Sequence, residues 1–246
     1  MEQVQRFERA LATFVAQWQD QPNIIGILAT GSLTHARLYP QSDIDVFLLT
    51  RPGTPWRKRG NTWVDGVEIE YFFNPPEQIR AYLRQQEDRP TTAHMFAHGR
   101  LMYAEGEHLA ALIEEAKTYW EKPPQAWTEA RKELMRYQLD DLQKDLEDCL
   151  GAGEHLTASM IGQDLIQACL TTYFGLKRLH VKKVKRLLPF CLEHHPEFGQ
   201  RLEKALAANG IPGRYEEMQP LVAYVEDMLG GRRPQEWTFE GPLDLR

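Results

Sequence analysis

Two aspartates one residue apart, Asp43 and Asp45, follow a Gly31-Ser32 pair after ten intervening residues. The residues after them, Val46-Phe47-Leu48-Leu49, are apolar, so Asp43 to Thr50 reads as a buried strand. Alternate residues of a strand face the same way, which puts both carboxylates on one side. Like charges this close are costly to bury without a partner. A hard divalent cation removes the repulsion, and Mg²⁺ in particular takes one or two carboxylates together with substrate phosphates. Gly31 lets the backbone come close to a phosphate, and Ser32 offers a hydroxyl donor. The pattern therefore predicts a metal–triphosphate site that polarises a phosphoryl group. The competing reading is a turn glycine beside a solvated acidic edge strand, and it leaves the apolar content of DIDVFLL unexplained.

The elements that must position this segment are legible from periodicity. Val4, Phe7, Leu11, Phe14, Val15 and Trp18 recur at helical spacing, predicting a helix over 4–19. Ile24 to Thr30 is short, apolar and rich in β-branched residues, a second buried strand. Residues 33–38 read as a short helix, and Tyr39-Pro40-Gln41-Ser42 as a turn. After Thr50, a loop carries Arg57, Lys58 and Arg59, expected at a solvated tip. Strands follow at 62–64 and 67–73 around an Asp65-Gly66 hairpin turn. Helices are expected from Pro75 to about Gln86 and over 91–98, a strand over 100–103, and a helix over 107–122. Beyond Pro123-Pro124 helical periodicity takes over, at 126–150, 155–180, 184–195, 197–208 and 214–229. The fold class is thus α+β. A mixed sheet with flanking helices spans 1–122, and an all-α helical-bundle domain spans 125–246.

The stretch GSLTHARLYPQSDIDVFLL resembles the signature of the DNA polymerase β-like nucleotidyltransferase superfamily. Gly31-Ser32, a spacer, then Asp43-x-Asp45 and apolar strand residues are its pattern, and Ser42 before the first aspartate is typical of small bacterial members. Many members carry glycine five residues after the first motif glycine, where this chain has Ala36. The α/β-then-helical layout resembles the aminoglycoside and lincosamide nucleotidyltransferases of antibiotic resistance. The resemblance implies two Mg²⁺ ions on Asp43 and Asp45, ATP or another NTP as donor, and contacts to it from Gly31, Ser32 and Ser42. It also implies a third carboxylate from a later strand, as metal ligand or general base. Glu70 is favoured, because it precedes the most apolar part of its strand, and Glu68 is the alternate. Related enzymes place a lysine from the helical half on the triphosphate; Lys185 is the choice here, within Lys177, Arg178, His180, Lys182, Lys183, Lys185 and Arg186. Favourable cations at a helix end account for most of that cluster. The acceptor implied is a small hydroxylated molecule, aminoglycoside-like. The alternatives are AMPylation of a protein, as in toxin–antitoxin nucleotidyltransferases, and a nucleotide-sensing module without turnover.

Bulk properties narrow the partners. The net charge is −6 and the pI about 5.8, which argues against a long nucleic acid, whose phosphates need a basic surface. Three cysteines without CxxC spacing predict neither disulfides nor a zinc site, in keeping with a cytoplasmic protein. Neither a secretory leader nor a membrane span is expected. His94 and His98 share a helix face at metal-ligand spacing, though no acidic motif accompanies them. The charged helix bearing Arg131, Asp140, Asp141, Asp145 and Asp148 reads mostly as a solvated face. No GxxxxGK[ST] occurs, so P-loop chemistry is unsupported.

Overall fold

The computed structural model describes residues 2–31, 38–39, 41–85, 90–208 and 210–241. The chain forms two compact units, Met1–Lys122 and Pro123–Arg246.

The first unit is a mixed sheet with helices on both faces. It runs α1 (Glu2–Trp18), β1 (Ile24–Gly31), β2 (Ile44–Thr50), β3 (Lys58–Val64), β4 (Val67–Asn74), α2 (Pro76–Gln85), α3 (Thr91–Ala97), β5 (Arg100–Ala104) and α4 (His108–Glu121). The strand order is β3-β4-β2-β1-β5. β2 and β4 pair in parallel, and β1–β2, β1–β5 and β3–β4 are antiparallel. The central strands β1 and β2 are apolar on both faces because both faces are covered. On one side, Phe7, Leu11 and Phe14 of α1 pack on Ile27, Ile44, Val46, Leu48 and Ile69. On the other, Ile79, Leu83, Phe96, Leu109 and Leu112 of α2–α4 pack on Leu28, Phe47 and Leu49. Arg100 of β5 ties the sheet edge to α1 by two bonds to Glu8, at 2.9 and 2.7 Å.

Two boundaries differ from the sequence reading. β2 begins at Ile44, so Asp43 stands one residue ahead of it. Lys58 and Arg59 are not at a loop tip; they open β3, paired with Phe73 and Phe72 of β4. Their polarity hid the strand, because β3 is an edge strand recruited by its ladder to β4 rather than by burial. The hairpin between them turns at Asp65 and Gly66, both with positive φ (50° and 70°), the backbone of a tight two-residue turn matched to strand twist. Most of the expected helix at 33–38 falls outside the described residues.

The second unit is all-α: α5 (Glu129–Gly151), α6 (His155–Leu176), α7 (Val184–His194), α8 (Pro196–Ala207) and α9 (Ile211–Met228). Its core gathers Leu139, Leu165, Cys169, Phe174, Phe198, Leu202, Leu221 and Val225, with Tyr173 stacked on Phe198 at 3.8 Å. Buried polar residues interrupt this core, Glu226 and Gln143 among them. Glu226 accepts from Gln143 Nε2 at 2.9 Å and from Arg232 Nε at 2.8 Å. The described residues after α9, up to 241, form no regular element but are fastened to α5, with Trp237 stacked on Tyr137 and donating to Glu133. The cysteines are free thiols. Among the described residues no helix is long and apolar enough to cross a membrane.

The aromatic group under β2 is the most direct support for the strand that carries Asp45. Phe47 stacks on Phe72 at 4.9 Å and meets Phe96 edge-on at 5.0 Å. Phe47→Ala is expected to destabilise the first unit by about 3–5 kcal/mol in urea unfolding followed by circular dichroism. A loss under about 1 kcal/mol would show that this packing does not hold β2.

Candidate metal centre

Sheet register assembles the site. Thr30, Asp45, Glu70 and Asn61 form a row across β1, β2, β4 and β3. One step along each strand on the same face, Leu28, Phe47, Phe72 and Arg59 form a second row. That row is apolar except at its edge, and it packs under the helices. The first row lies beyond it and is polar. Asp43, two residues before Asp45, shares its side.

The consequence is a cluster in which Asp43, Asp45 and Glu70 each bring a carboxylate oxygen within 4.8 Å of the others. Asp45 is buried at 6% exposure, while Asp43 and Glu70 are half-buried. Two unit charges about 5 Å apart at an effective dielectric near 20 repel by about 3 kcal/mol. Three such groups facing one another are therefore held against their own electrostatics. An all-oxygen donor set of this kind suits a hard divalent cation, Mg²⁺ or Mn²⁺, and Asp43, Asp45 and Glu70 are the residues that could hold it. Among the described residues it is the one such group of three or more.

Gly31 fits the cluster for a reason the sequence did not disclose. Its φ is +79°, and a Cβ added there would lie 2.3 Å from Oδ2 of Asp45. The close approach that demands glycine is that of the Asp45 carboxylate against the end of β1. Thr30 next to it donates its hydroxyl to the Asp45 carbonyl at 3.3 Å. Ser42 is buried and closes the turn before Asp43: its Oγ accepts from Tyr39 N at 2.8 Å and its N donates to Tyr39 O at 2.9 Å. Ser32 lies outside the described residues. Lys185 is exposed in the first turn of α7, in the second unit.

Glu68 shares a face with Glu70 but has a different partner, accepting from Asn61 Nδ2 at 2.6 Å. Glu70 accepts from Arg59 Nε at 2.7 Å, with Nη2 2.5 Å from the same oxygen. The Arg59 guanidinium also lies 5.1 Å from the Phe72 ring centre. Sequence reasoning missed Arg59 as a neighbour of the site. Counting the hairpin outward from Asp65-Gly66 would have found it: the register sets Asn61 beside Glu70 and Arg59 beside Phe72, one diagonal step away.

The remaining candidates settle elsewhere. The His94 and His98 rings stack at 4.7 Å against Trp120, and His98 Nδ1 lies 3.0 Å from the His94 carbonyl. In the basic cluster, Arg178 donates to the Pro124 carbonyl at 2.8 Å. Lys182 lies 4.6 Å from the Phe190 ring centre, and burial pulls its ammonium below the usual lysine range.

No protein-family model and no curated protein matches the chain. Among solved structures it is similar to a nucleotidyltransferase-like protein from Exiguobacterium sibiricum 255-15, at 13% identity and a TM-score of 0.46, over 91% of this chain and 74% of that one. The functional reading below rests on the carboxylate geometry and the motif.

Gly31→Ala tests the link between glycine and carboxylate. The added methyl meets Asp45 and the backbone is strained at positive φ. Mn²⁺ affinity measured by calorimetry is expected to fall about tenfold or more with the far-ultraviolet circular dichroism unchanged. Wild-type affinity in the variant would show that Asp45 does not depend on the bare backbone at 31.

Proposed function

We propose that this chain is a divalent-cation-dependent nucleotidyltransferase. It moves a nucleoside monophosphate, AMP from ATP, to a hydroxyl of a small acceptor and releases pyrophosphate. The observation that carries this reading is the convergence of Asp43, Asp45 and Glu70 within 4.8 Å, on strands that the Gly31-Ser32…Asp43-x-Asp45 pattern marks out. The first unit holds the chemistry. Asp43, Asp45 and Glu70 would hold Mg²⁺, in two ions, which would neutralise the triphosphate and polarise the reacting phosphoryl group.

The chain's own groups do the rest. Asp43 and Asp45 hold the cations, and Gly31 leaves room for Asp45 to do so. Ser32 and Ser42 are proposed donors to the triphosphate. Glu70 is the cluster's member on the β4 side, where it completes the cation site and takes the proton of the acceptor hydroxyl at a carboxylate oxygen. The acceptor oxygen forms a bond to the α-phosphorus. The bond from that phosphorus to the bridging oxygen breaks, and pyrophosphate leaves with the electron pair. Rigid strands beneath the carboxylates fix their positions before substrate arrives, which is where the protein contributes most to phosphoryl transfer. The net charge of −6 favours a cationic acceptor, and an aminoglycoside-like polyol is the first class to try.

The test incubates the protein with α-labelled NTPs, Mg²⁺ and a panel of hydroxylated antibiotics and metabolites. A labelled small molecule is expected, with transfer falling at least about 10²–10³-fold in Asp43→Asn and in Asp45→Asn. Label on protein instead would redirect the acceptor to a polypeptide. Pyrophosphate release undiminished in both variants would contradict the assignment.

A further inference from the structure

The proposed mechanism leaves one charged group beside the cluster without a task. Arg59 reaches from the edge strand β3 to Glu70, and both of its close contacts, at 2.7 and 2.5 Å, fall on the same oxygen, Oε1. Its side chain is 70% exposed, so water screens the pair and as a surface ion pair it adds little to stability. Its position is more informative than its strength. The guanidinium is seated by Phe72, in the apolar row directly behind the carboxylates, so the arginine is aimed along the sheet at the cluster. The carboxylate it meets is one of the three that crowd within 4.8 Å.

We propose that Arg59 is a counter-charge resident on Glu70 and that it acts in antagonism to the divalent cation. The inference rests on the cation-site reading of Asp43, Asp45 and Glu70. Without a cation, Glu70 has the longest and most mobile side chain of the three, and repulsion by two aspartates drives it outward. Arg59 draws it toward β3 and offsets part of the negative charge. A divalent cation offsets the same charge from the other side and draws on the same carboxylate. The two positive groups repel each other, so each weakens the other's hold on Glu70. By linkage the effect is reciprocal: whatever Arg59 takes from cation affinity, the bound cation takes from the ion pair. Arg59 is thus a positioning residue that sets how tightly the empty cluster takes up metal. An anionic ligand that accepts the guanidinium would release Glu70 and favour loading.

The experiment titrates Mn²⁺ into wild type, Arg59→Gln, Arg59→Lys and Asp45→Asn, reading free Mn²⁺ by electron paramagnetic resonance, with no nucleotide present. Circular dichroism confirms the fold, which an exposed side chain leaves intact. Arg59→Gln is expected to bind Mn²⁺ about three- to tenfold more tightly than wild type. Arg59→Lys, which keeps the charge, is expected to stay within about twofold of wild type, and Asp45→Asn to lose the site. If wild type binds in an Asp45-dependent way but Arg59→Gln binds equally or more weakly, the antagonism is overturned and the cation site stands. Tightening in Arg59→Lys as great as in Arg59→Gln also overturns it, since charge is then not the cause. Absence of Asp45-dependent binding in wild type overturns both the inference and the site.

Discussion

Three carboxylates held face to face are the constraint on which the first unit is organised. Like charges repel, and the carboxylates of Asp43, Asp45 and Glu70 lie within 4.8 Å of one another. Their convergence is enforced by the sheet. β2 and β4 lie side by side in parallel, and that register sets Asp45 beside Glu70. The same register stacks Phe47 on Phe72 one step away, so the apolar row that supports the strands and the polar row that bears the charge come from one pairing. Burial of the aromatic row by α2–α4 stabilises an arrangement that the carboxylates oppose. Proteins accept such local opposition where function needs it.

The surroundings of the cluster are shaped to this end. β1 ends in a glycine whose missing side chain is the space occupied by the Asp45 carboxylate. The turn before Asp43 is closed by Ser42 on Tyr39, so the first aspartate enters the sheet from a fixed point. At the far side, β3 supplies Asn61 to Glu68 and Arg59 to Glu70, which separates two carboxylates of one strand into different partnerships. Among the described residues, Gly31 of β1 and the Arg59 guanidinium of β3 border the cluster.

Much of this was legible in the sequence because it follows from periodicity. The strand expected over 43–50 puts Asp43 and Asp45 on one side without any structural knowledge, and the helical spacing of Phe7, Leu11 and Phe14 identifies the face that α1 buries. The division into a mixed α/β sheet and a helical bundle follows from the change of period after Pro123-Pro124. What escaped was set by partners distant in sequence. β3 has no apolar pattern of its own, since Lys58, Arg59, Asn61 and Trp63 are all exposed, and it is a strand because β4 offers a ladder. With the strand begun only at Thr62 and Lys58 and Arg59 read as loop, Arg59 had no register and its bond to Glu70 was invisible. The second demand on Gly31 escaped for a related reason: a glycine requirement can be inferred from a turn, but the Asp45 carboxylate that presses on it belongs to another strand.

In the proposed site Asp43, Asp45 and Glu70 hold a divalent cation together. A crystal of the protein soaked in Mn²⁺, with diffraction recorded at a wavelength where manganese scatters anomalously, tests it most directly. An anomalous peak is expected about 2.0–2.6 Å from oxygens of all three carboxylates. Peaks confined to other places, or a peak that leaves Asp45 without contact, would contradict it.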